Sequence, residues 1–423
     1  MKKLSDQKEL HGIIPNDARI FVQGGAATPT ELLDSLVGIE KQIELIHIHT
    51  ENDYRELAQD LGENLRITSL FCGSNVRRLL NYDNIDYSPC FLSEGSYILK
   101  NSEKSVDIAF IQVSSPDRHG YCSLGVSVDI TLGALKAAKK VVALINKQMP
   151  RVHGDGFIHT SQIDFYTEID RPIQEVLCTG LSETELAIGK RVAEIVEDGS
   201  TIQVGIGNVP NAVCHFLKDH KDLGVHSEMW SDGILELLKS GAVTNSKKKV
   251  YPGKTVSGFV MGSKELYDFI DDNPSIIQLS ASFVNDPAII KKNPKVVAIN
   301  SAVEIDLTGQ ICADSVGSRI ISGVGGQMDF MRGAFLSEGG KPITVITSKS
   351  VKGFSKIVPK LRQGAGVVTT RAHAHYIVTE YGVADLFGKT LNQRAKELIK
   401  ISHPDDREEL DRAWFDIKKS IIS

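Results

Sequence analysis

One pattern occurs twice in this chain and constrains its fold more than any other feature of the sequence. Residues 17–29 and 198–210 have equal length, and each passes from an apolar run through glycines to a proline. A second apolar run follows each copy and ends in similar residues, Ile-His-Thr-Glu at 48–51 and Val-His-Ser-Glu at 225–228. A strand, a glycine turn, a helix and a further strand form a βαβ unit, so the repeat predicts a parallel sheet in each half.

The length of the chain fits two such domains. A single hydrophobic core stops growing at roughly 250–300 residues, and the sequence has 423. We therefore predict an N-terminal α/β domain at 1–180 and a C-terminal one at 181–423, each with an open, mostly parallel sheet. Sheets of this kind place their ligands at the carboxyl ends of the strands, and we expect the active site in the crevice between the two domains.

Local signals predict several elements of the second half. Ser182 and Glu185 form a capping box, which predicts the start of a helix. Pro210 is expected to begin the helix that follows the second glycine turn. Residues 366–371 and 377–379 are predicted to be late strands, before two helices that close the chain.

The composition indicates a cytoplasmic enzyme with small-molecule partners. The formal net charge is −5, whereas a nucleic-acid-binding protein needs a basic face. The N-terminus turns charged where a signal peptide would turn apolar, and no apolar run approaches the roughly twenty residues of a membrane helix. We therefore expect neither nucleic acid nor membrane as a partner. A homodimer is expected because symmetric dimers are the commonest soluble oligomers.

The cysteines give no indication of a metal site or a disulfide. There are six of them, without any Cys-x-x-Cys pair, at Cys72, Cys90, Cys122, Cys178, Cys214 and Cys312. Scattered cysteines in a cytoplasmic protein are typical of reduced and mostly buried thiols. No metal is predicted.

The second copy of the repeat contains the candidate site. Its loop runs through Gln203, Val204, Gly205, Ile206 and Gly207, and glycines of this kind let a ligand approach backbone N–H groups. Glu228 follows at the predicted end of the next strand, and we interpret it as a nucleophile. A carboxylate attacks ordinary esters and amides poorly, but a thioester has an activated carbonyl and a good leaving group. Glycine N–H groups would stabilise the oxyanion that forms, and this chemistry needs no metal.

Three other charged groups are weighed against this hypothesis. Glu51 holds the place in the first half that Glu228 holds in the second, but its loop at 24–27 lacks the Gly-x-Gly spacing. We interpret it as a degenerate copy. Glu380 ends a predicted strand, where a glutamate more often caps a helix or pairs with arginine than touches substrate. The lysines at 247–249 are predicted to lie in a solvated turn, with a smaller chance of contacting phosphates.

Several motifs together resemble the acetyl-CoA hydrolase/transferase family, and within it the 4-hydroxybutyrate and butyrate:acetate CoA-transferases. The resemblance covers nearly the whole chain. The motifs are the glycine loop at 203–210, His-Ser-Glu-Met at 226–229, Val-Asn-Asp-Pro at 284–287, residues 299–302 and 306–310, Gly-Gly-Gln-Met-Asp-Phe at 325–330, and residues 378–386.

The resemblance implies a mechanism and a set of site residues. Glu228 matches the glutamate that attacks acyl-CoA to give an acyl-glutamyl anhydride and then a glutamyl-CoA thioester, in a ping-pong cycle with a carboxylic acid. The residues from Gln203 to Gly207 match the CoA-binding loop, and Gly326 matches a backbone contact near the thioester. Lys349 is predicted to contact the nucleotide end of CoA. Coenzyme A enters as the thioester substrate, and no permanently bound cofactor is expected.

Three classes of function are compatible with the sequence to different degrees. The first is CoA transfer from a short-chain acyl-CoA to an acid such as acetate, butyrate or 4-hydroxybutyrate. The second is hydrolysis of the acyl-CoA by the same glutamate, if water reaches the anhydride. The third is a non-catalytic or nucleotide-binding α/β protein. Nucleotide binding is disfavoured because the chain lacks both Gly-x-Gly-x-x-Gly and Gly-x-x-x-x-Gly-Lys-Ser/Thr.

Overall fold

The computed structural model describes residues 1–80, 83–177 and 180–422, with the backbone alone at 421 and 422. The chain forms two compact units. The first comprises Met1–Leu177 and Val256–Val284, and the second comprises Cys178–Thr255 and Asn285–Ser423. Each unit contains one large sheet with helices, so the predicted α/β class with two similar halves is confirmed.

The sheet of the first unit has eight strands, all parallel to their neighbours. Their order across the sheet is Lys2–Lys3, Phe165–Ile169, Lys140–Asn146, Ile108–Val113, Ala18–Val22, Ile43–His47, Leu65–Ser69 and Ile85–Tyr87. The unit's helices are Gln7–Ile13, Thr30–Asp34, Arg55–Leu61, Ser74–Arg77, Gly95–Asn101, Thr131–Ala137, Lys264–Ile270 and Ala281–Val284. The strands Ala18–Val22 and Ile108–Val113 are buried at every position, as in parallel sheets covered on both faces.

The sheet of the second unit has six strands, parallel except for the antiparallel last pair. Their order is Gly224–Val225, Thr201–Val204, Val296–Ser301, Lys341–Val345, Tyr376–Thr379 and Gly382–Asp385. The helices are Glu183–Ala193, Asn208–Phe216, Asp232–Lys239, Pro287–Ile290, Gln327–Leu336, Leu391–Ile401 and Arg407–Ile422. A small side sheet pairs Glu304–Asp306 with Ile311–Cys312 and Ile357–Val358.

The two sequence repeats have the same local structure. In each, a buried strand leads through glycines into a helix and then into a parallel neighbouring strand. The elements are Ala18–Val22, Thr30–Asp34 and Ile43–His47 in the first copy, and Thr201–Val204, Asn208–Phe216 and Gly224–Val225 in the second. Both glutamates of the repeat therefore follow the carboxyl end of the strand that pairs with the glycine-loop strand.

The first unit includes a segment that the sequence-based division at 180/181 assigns to the C-terminal domain. Residues 256–284 belong to the first unit, because their hydrogen bonds lie there. Strand Ile276–Gln278 pairs with His153–Gly154. The hydroxyl group of Tyr267 donates to the carbonyl oxygen of Gln174 at 2.9 Å. The strand's partner, His153–Gly154, lies more than a hundred positions upstream. No local pattern in the sequence indicates either of these pairings.

Most of the local predictions for the second half hold. The capping box is confirmed, since Ser182 and Glu185 exchange side-chain to backbone hydrogen bonds at the start of Glu183–Ala193. The next helix begins at Asn208, two residues before Pro210. The prediction of a strand at 366–371 is wrong: only an isolated bridge forms, between Ile311 and Thr369. The hydroxyl group of Thr369 accepts a hydrogen bond from Gln327, which fixes this segment without a ladder.

None of the five cysteines in the described residues forms a disulfide bond. Cys72, Cys122, Cys214 and Cys312 are buried and Cys90 is half-buried, as expected for mostly buried side chains. Cys178 lies outside the described residues. Among the helices described, none is long and apolar enough to span a membrane.

Candidate active site

The second glycine loop borders open space. It follows strand Thr201–Val204 and leads directly into the helix Asn208–Phe216. At Gly207 the φ and ψ angles are 113° and −179°, a region that essentially only glycine occupies. A Cβ atom at Gly205 or Gly207 would meet no atom within 4 Å, and Ile206 between them is exposed. This geometry fits the predicted approach of a ligand to the backbone.

The first glycine loop is instead closed by its own chain. The N–H group of Gly25 donates to the carbonyl oxygen of His49 at 2.7 Å. A Cβ atom at Gly24 would lie 2.8 Å from the same oxygen. Glu51 is held by His49, whose Nε2 lies 2.6 Å from Oε1 of the glutamate. The space that a ligand would need at this loop is therefore occupied, which favours Glu228 over Glu51 as the nucleophile.

Hydrogen bonds tie the segment before Glu228 to the strand before the glycine loop. The N–H group of His226 donates to the carbonyl oxygen of Ile202 at 3.2 Å. The hydroxyl group of Ser227 accepts from the N–H group of Val204 at 3.3 Å, and lies 3.0 Å from the carbonyl oxygen of the same residue. Gly205 and Glu228 each come one residue later, so the fold fixes the open loop and the candidate nucleophile side by side.

Two donors hold the carboxyl group of Glu228. Nδ2 of Asn285 donates to Oε2 of Glu228 at 2.8 Å. The backbone N–H group of Gly326 donates to the same carboxyl group. Gly326 is the cap of helix Gln327–Leu336, and the N-terminus of a helix favours negative charge. Gly326 therefore lies at the candidate nucleophile, and its contact near the thioester of CoA stays a prediction.

Burial shifts the acid–base behaviour of Glu228. The side chain keeps partial access to solvent, but the protein around its carboxyl group raises the pKa to about 7. Desolvation is the largest cause of the raised pKa, and the negative charge of Asp329 adds to it; the hydrogen bonds from Asn285 and Gly326 oppose it. A carboxylate with a pKa near 7 is more basic and more nucleophilic than an exposed one, and about half of it is ionised at neutral pH.

The same two donors suit the later steps of acyl transfer. When the CoA thiolate adds to the glutamyl carbonyl of the anhydride, or a carboxylate adds to the carbonyl of the glutamyl-CoA thioester, negative charge develops on the carbonyl oxygen. Donors placed in advance beside that oxygen stabilise the transition state. Asn285 and Gly326 already donate to the carboxyl group of Glu228, so the arrangement can serve both the nucleophile and its acylated forms.

A buried lysine supports the strand that leads to Glu228. Lys248 is only 3% exposed, so the prediction of a solvated turn is wrong for this residue. Its Nζ donates to the carbonyl oxygens of Val225 and Lys254 at 2.7 and 2.6 Å. A Cβ atom at Gly224 would lie 2.5 Å from the lysine side chain, so the lysine fits here because residue 224 has no side chain. Burial lowers the pKa of Lys248 to about 7.

The buried lysine predicts a pH dependence of stability. The unfolded chain binds a proton at Lys248 up to its ordinary pKa of 10.5, whereas the folded protein loses that proton near pH 7. The folded state is therefore favoured increasingly as the pH rises through this window. We expect the free energy of unfolding of the wild type, relative to Lys248→Met, to increase by about 2 kcal/mol from pH 7 to pH 9. Urea denaturation at both pH values measures it.

The neighbouring lysine is the matched control for that measurement. Lys247 is exposed, so Lys247→Met should differ from the wild type by the same free energy at both pH values. A constant difference for Lys248→Met would contradict the depressed pKa.

Two other residues predicted to contact CoA, Gln203 and Lys349, interact with side chains of the protein itself. Gln203 is buried at the end of its strand, and its side-chain amide pairs with that of Asn300, with Nδ2 of Asn300 donating to Oε1 of Gln203 at 3.0 Å. Lys349 forms ion pairs with Asp405 and Asp406 at 3.5 and 3.4 Å. Its contact with the nucleotide end of CoA stays a prediction, and a phosphate there would have to compete with two carboxylates.

The carboxyl group of Glu380 accepts hydrogen bonds from the backbone and side chain of Ser348. The carboxyl group thus binds a serine, and not a helix N-terminus or an arginine as its position at a strand end suggested. Its backbone carbonyl oxygen accepts from Arg191 at 3.2 Å.

The sequence did not assign a role to two residues of the site. Asn285 and Asp329 belong to motifs that carry the family resemblance, at 284–287 and 325–330. In the structure both lie close to Glu228, although Asn285 is 57 positions and Asp329 about a hundred positions away along the chain. Nδ2 of Asn285 lies 3.5 Å from Oδ2 of Asp329. No signal in the sequence separates them from the other polar residues of the same motifs, Asp286 and Gln327. Within the described ranges, no group of three or more His, Cys, Asp or Glu side chains is placed to hold a metal ion.

Family models match most of the chain. The model described as the acetyl-CoA hydrolase/transferase N-terminal domain matches residues 1–177. The model described as the C-terminal domain of the same family matches residues 262–414. The second match includes Asn285, Gly326 and Asp329.

The individual relatives include CoA-transferases and, at lower identity, an acetyl-CoA hydrolase. The chain is 48% identical to a succinyl-CoA:acetate/propanoyl-CoA:succinate CoA transferase of Fasciola hepatica, over 100% of this chain and 90% of the relative. It is 45% identical to a 4-hydroxybutyrate coenzyme A transferase of Clostridium kluyveri, over 97% and 96% of the two chains. An acetyl-CoA hydrolase of Yarrowia lipolytica is more distant, at 27% identity over 78% and 70%. The crystal structure of a 4-hydroxybutyrate CoA-transferase from Porphyromonas gingivalis has a TM-score of 0.83 and 35% identity, with 99% and 98% covered.

Proposed function

The chain belongs to the acetyl-CoA hydrolase/transferase family and is a CoA-transferase, and from this premise we propose that Glu228 carries coenzyme A between a short-chain acyl-CoA and a free carboxylic acid. The observation that carries the proposal is the position of its carboxyl group. The carboxyl group accepts hydrogen bonds from Asn285 and Gly326, and the residues before Glu228 are hydrogen-bonded to the strand that leads into a glycine loop bordering open space. A nucleophile with donors on its own oxygens and room for a thioester is what acyl transfer requires.

The first half of the reaction moves CoA onto the enzyme. An oxygen of Glu228 attacks the thioester carbon, the carbon–sulfur bond breaks, and CoA leaves as the thiolate. The product is an acyl-glutamyl anhydride. The thiolate then attacks the glutamyl carbonyl of this anhydride and expels the first acid as its carboxylate, which leaves a glutamyl-CoA thioester. Asn285 and Gly326 would donate to the oxygen of the glutamyl carbonyl in the second step.

The second half reverses these steps with another acid. Its carboxylate attacks the glutamyl carbonyl and expels the CoA thiolate, which gives a new anhydride. The thiolate attacks the acyl carbonyl of that anhydride, releases the new acyl-CoA and restores the carboxylate of Glu228. No proton or electron is consumed in the cycle. The acids used by the named relatives include acetate, succinate and 4-hydroxybutyrate, and we propose short-chain acids of this kind, butyrate included, for this enzyme.

Hydrolysis by the same glutamate is the alternative, and an assay separates the two activities. The greater distance of the acetyl-CoA hydrolase supports transfer. With acetyl-CoA alone, a hydrolase would release free thiol continuously, whereas a transferase stops after one equivalent or less. With butyrate added, a transferase forms butyryl-CoA. Steady thiol release that is independent of butyrate would contradict the proposal.

Chemical trapping tests the covalent role of Glu228. The enzyme is mixed with acetyl-CoA, reduced with borohydride, and analysed by intact mass and peptide mapping. A glutamyl-CoA thioester is reduced to an alcohol, so we expect one modified residue, at position 228. Modification at Glu51 would assign the reaction to the first half of the chain and would contradict the proposal.

The raised pKa of Glu228 predicts the pH dependence of the first half-reaction. Only the carboxylate attacks the thioester, so kcat/KM for acyl-CoA should fall about tenfold for each pH unit below the pKa of about 7 and level off above it. Initial rates from pH 5 to pH 8.5 measure this dependence. The same profile is expected for Glu236→Gln, a change at a surface ion pair with Lys218. A midpoint near 4.5 would contradict the desolvated site.

Other expectations from the sequence stay predictions at this point. They are a cytoplasmic location, a homodimer, and CoA contacts through the loop at 203–207 and Lys349.

A further inference from the structure

Asp329 lies next to the candidate nucleophile but forms no bond in the covalent steps above. It is the third residue of the helix Gln327–Leu336 and is only 4% exposed. Its Oδ2 lies 3.5 Å from Nδ2 of Asn285, and the same Nδ2 lies 2.8 Å from Oε2 of Glu228. The amide nitrogen of Asn285 therefore bridges two carboxyl groups.

Hydrogen bonds at the amide nitrogen fix the orientation of the Asn285 side chain. Its Oδ1 is buried and has no hydrogen-bond partner in the described part of the chain. The free carboxylate of Glu228 holds the nitrogen by a charge-assisted hydrogen bond. This hold weakens during the cycle, because Glu228 becomes neutral as soon as it is acylated or bound to CoA. A rotation of the amide would then present an oxygen, and not a donor, to the glutamyl carbonyl.

We propose that Asp329 is a positioning residue that keeps the Asn285 amide nitrogen directed at the glutamyl carbonyl while Glu228 is in its neutral, acylated forms. Its carboxylate accepts from that nitrogen in every state of the cycle, and rotation of the amide would bring Oδ1 against a negative charge. The inference depends on the proposed covalent role of Glu228. It assigns to Asp329 an effect on the breakdown of the intermediates that acts through Asn285.

The charge of Asp329 has a second effect, on the free enzyme. It raises the pKa of Glu228, in addition to desolvation. The other charged or titratable side chains on the segments 224–230, 285–290 and 326–336 are His226, Asp286 and Arg332. His226 packs against Phe330, Asp286 accepts from a backbone N–H group of its own helix, and Arg332 lies over Phe335. Removal of the charge at 329 alone should therefore lower the pKa of Glu228.

Two substitutions separate these effects. Asp329→Asn removes the charge and keeps the shape, and Asp329→Ala also removes the acceptor. Asp314→Asn is the control, because Asp314 is a buried carboxylate of the same unit whose contact is with Cys312 at 3.8 Å. For each variant, kcat/KM for acyl-CoA is measured against pH. Asp329→Ala is also introduced into the Asn285→Ala enzyme. The breakdown of preformed glutamyl-CoA by butyrate is followed by stopped flow with and without Asp329→Ala, in the wild-type and in the Asn285→Ala background.

The expected results are specific to a positioning role. Asp329→Asn should move the acidic midpoint of kcat/KM down by about one pH unit, and Asp314→Asn should leave it in place. Asp329→Ala should slow the breakdown of glutamyl-CoA by roughly 10- to 100-fold, the effect expected when a hydrogen bond to a charged group is lost. On the Asn285→Ala background the same substitution should slow it by less than about threefold, since the residue acts through Asn285.

Two results would overturn the inference. One is an additive loss, in which Asp329→Ala slows breakdown as much without Asn285 as with it. The other is breakdown at the wild-type rate in Asp329→Ala. Borohydride trapping in the same wild-type samples keeps the proposed function separate. If Glu228 is labelled and the Asp329 variants behave like wild type, this inference alone fails; if Glu228 is not labelled, the proposed function itself fails.

Discussion

The Glu228→Gln enzyme should transfer no CoA, with kcat/KM lower by about 10⁴-fold or more, because an amide cannot form the bond to the acyl carbon. Glutamine has the size of glutamate, and its oxygen can still accept the hydrogen bond from Asn285. The loss would therefore report on chemistry and not on the shape of the site. Formation of butyryl-CoA from acetyl-CoA and butyrate measures it, and activity within tenfold of the wild type would contradict the covalent mechanism.

The stability of the same variant provides its control. The folded protein binds a proton at Glu228 up to a pKa of about 7, above the ordinary value of 4.5. The contribution of this group to stability is therefore complete below pH 4.5 and is lost as the pH rises through 7. The free energy of unfolding of Glu228→Gln, measured relative to that of the wild type, should be roughly 2 kcal/mol higher at pH 8 than at pH 5. An inactive variant that is more stable at pH 8 cannot owe its inactivity to unfolding.

The Gly326→Ala enzyme should lose at least about 10³-fold in kcat/KM, because the added methyl group enters the space of the nucleophile. A Cβ atom at 326 would lie 1.9 Å from Oε2 of Glu228 and 2.1 Å from Nδ2 of Asn285. One of the two groups has to move, and the Gly326 N–H group then loses its alignment with the carboxyl group. Loss of one such donor typically costs 10²- to 10³-fold, and displacement of the nucleophile adds to it.

Gly12→Ala is the matched control for this substitution. Gly12 lies in helix Gln7–Ile13, and a Cβ atom there meets nothing within 4 Å. Its activity should equal that of the wild type. If Gly326→Ala retains more than a tenth of the activity, the glutamate does not need the position in which the structure holds it.

The sequence predicts the parts of this protein that depend on local signals. The strand, glycine turn and helix of each repeat are defined by residues within a few positions of one another, and so is the capping box of Ser182 and Glu185. The sequence also placed Glu228 after the strand that pairs with the glycine-loop strand, because parallel strands of a βαβ unit end at one edge of the sheet.

The sequence does not predict features that depend on distant partners. Asn285 reaches Glu228 across 57 positions, and the bridge to Asp329 forms only when three segments meet. Lys248 stands in a run of three lysines, which is typical of a solvated turn, and its burial depends on two carbonyl groups and on the absence of a side chain at Gly224. Residues 256–284 belong to the first unit because a strand there pairs with His153–Gly154.

The closed turn of the first repeat limits what protein engineering can do with this duplicated architecture. The obstacle at residues 24 and 25 is the chain's own His49 carbonyl group, so no exchange of side chains clears it. Grafting Gly-Ile-Gly into the first half would therefore not create a second catalytic centre. The two halves share the order of strand, glycine turn, helix and strand, but of the two glycine turns the second alone has a backbone that borders open space.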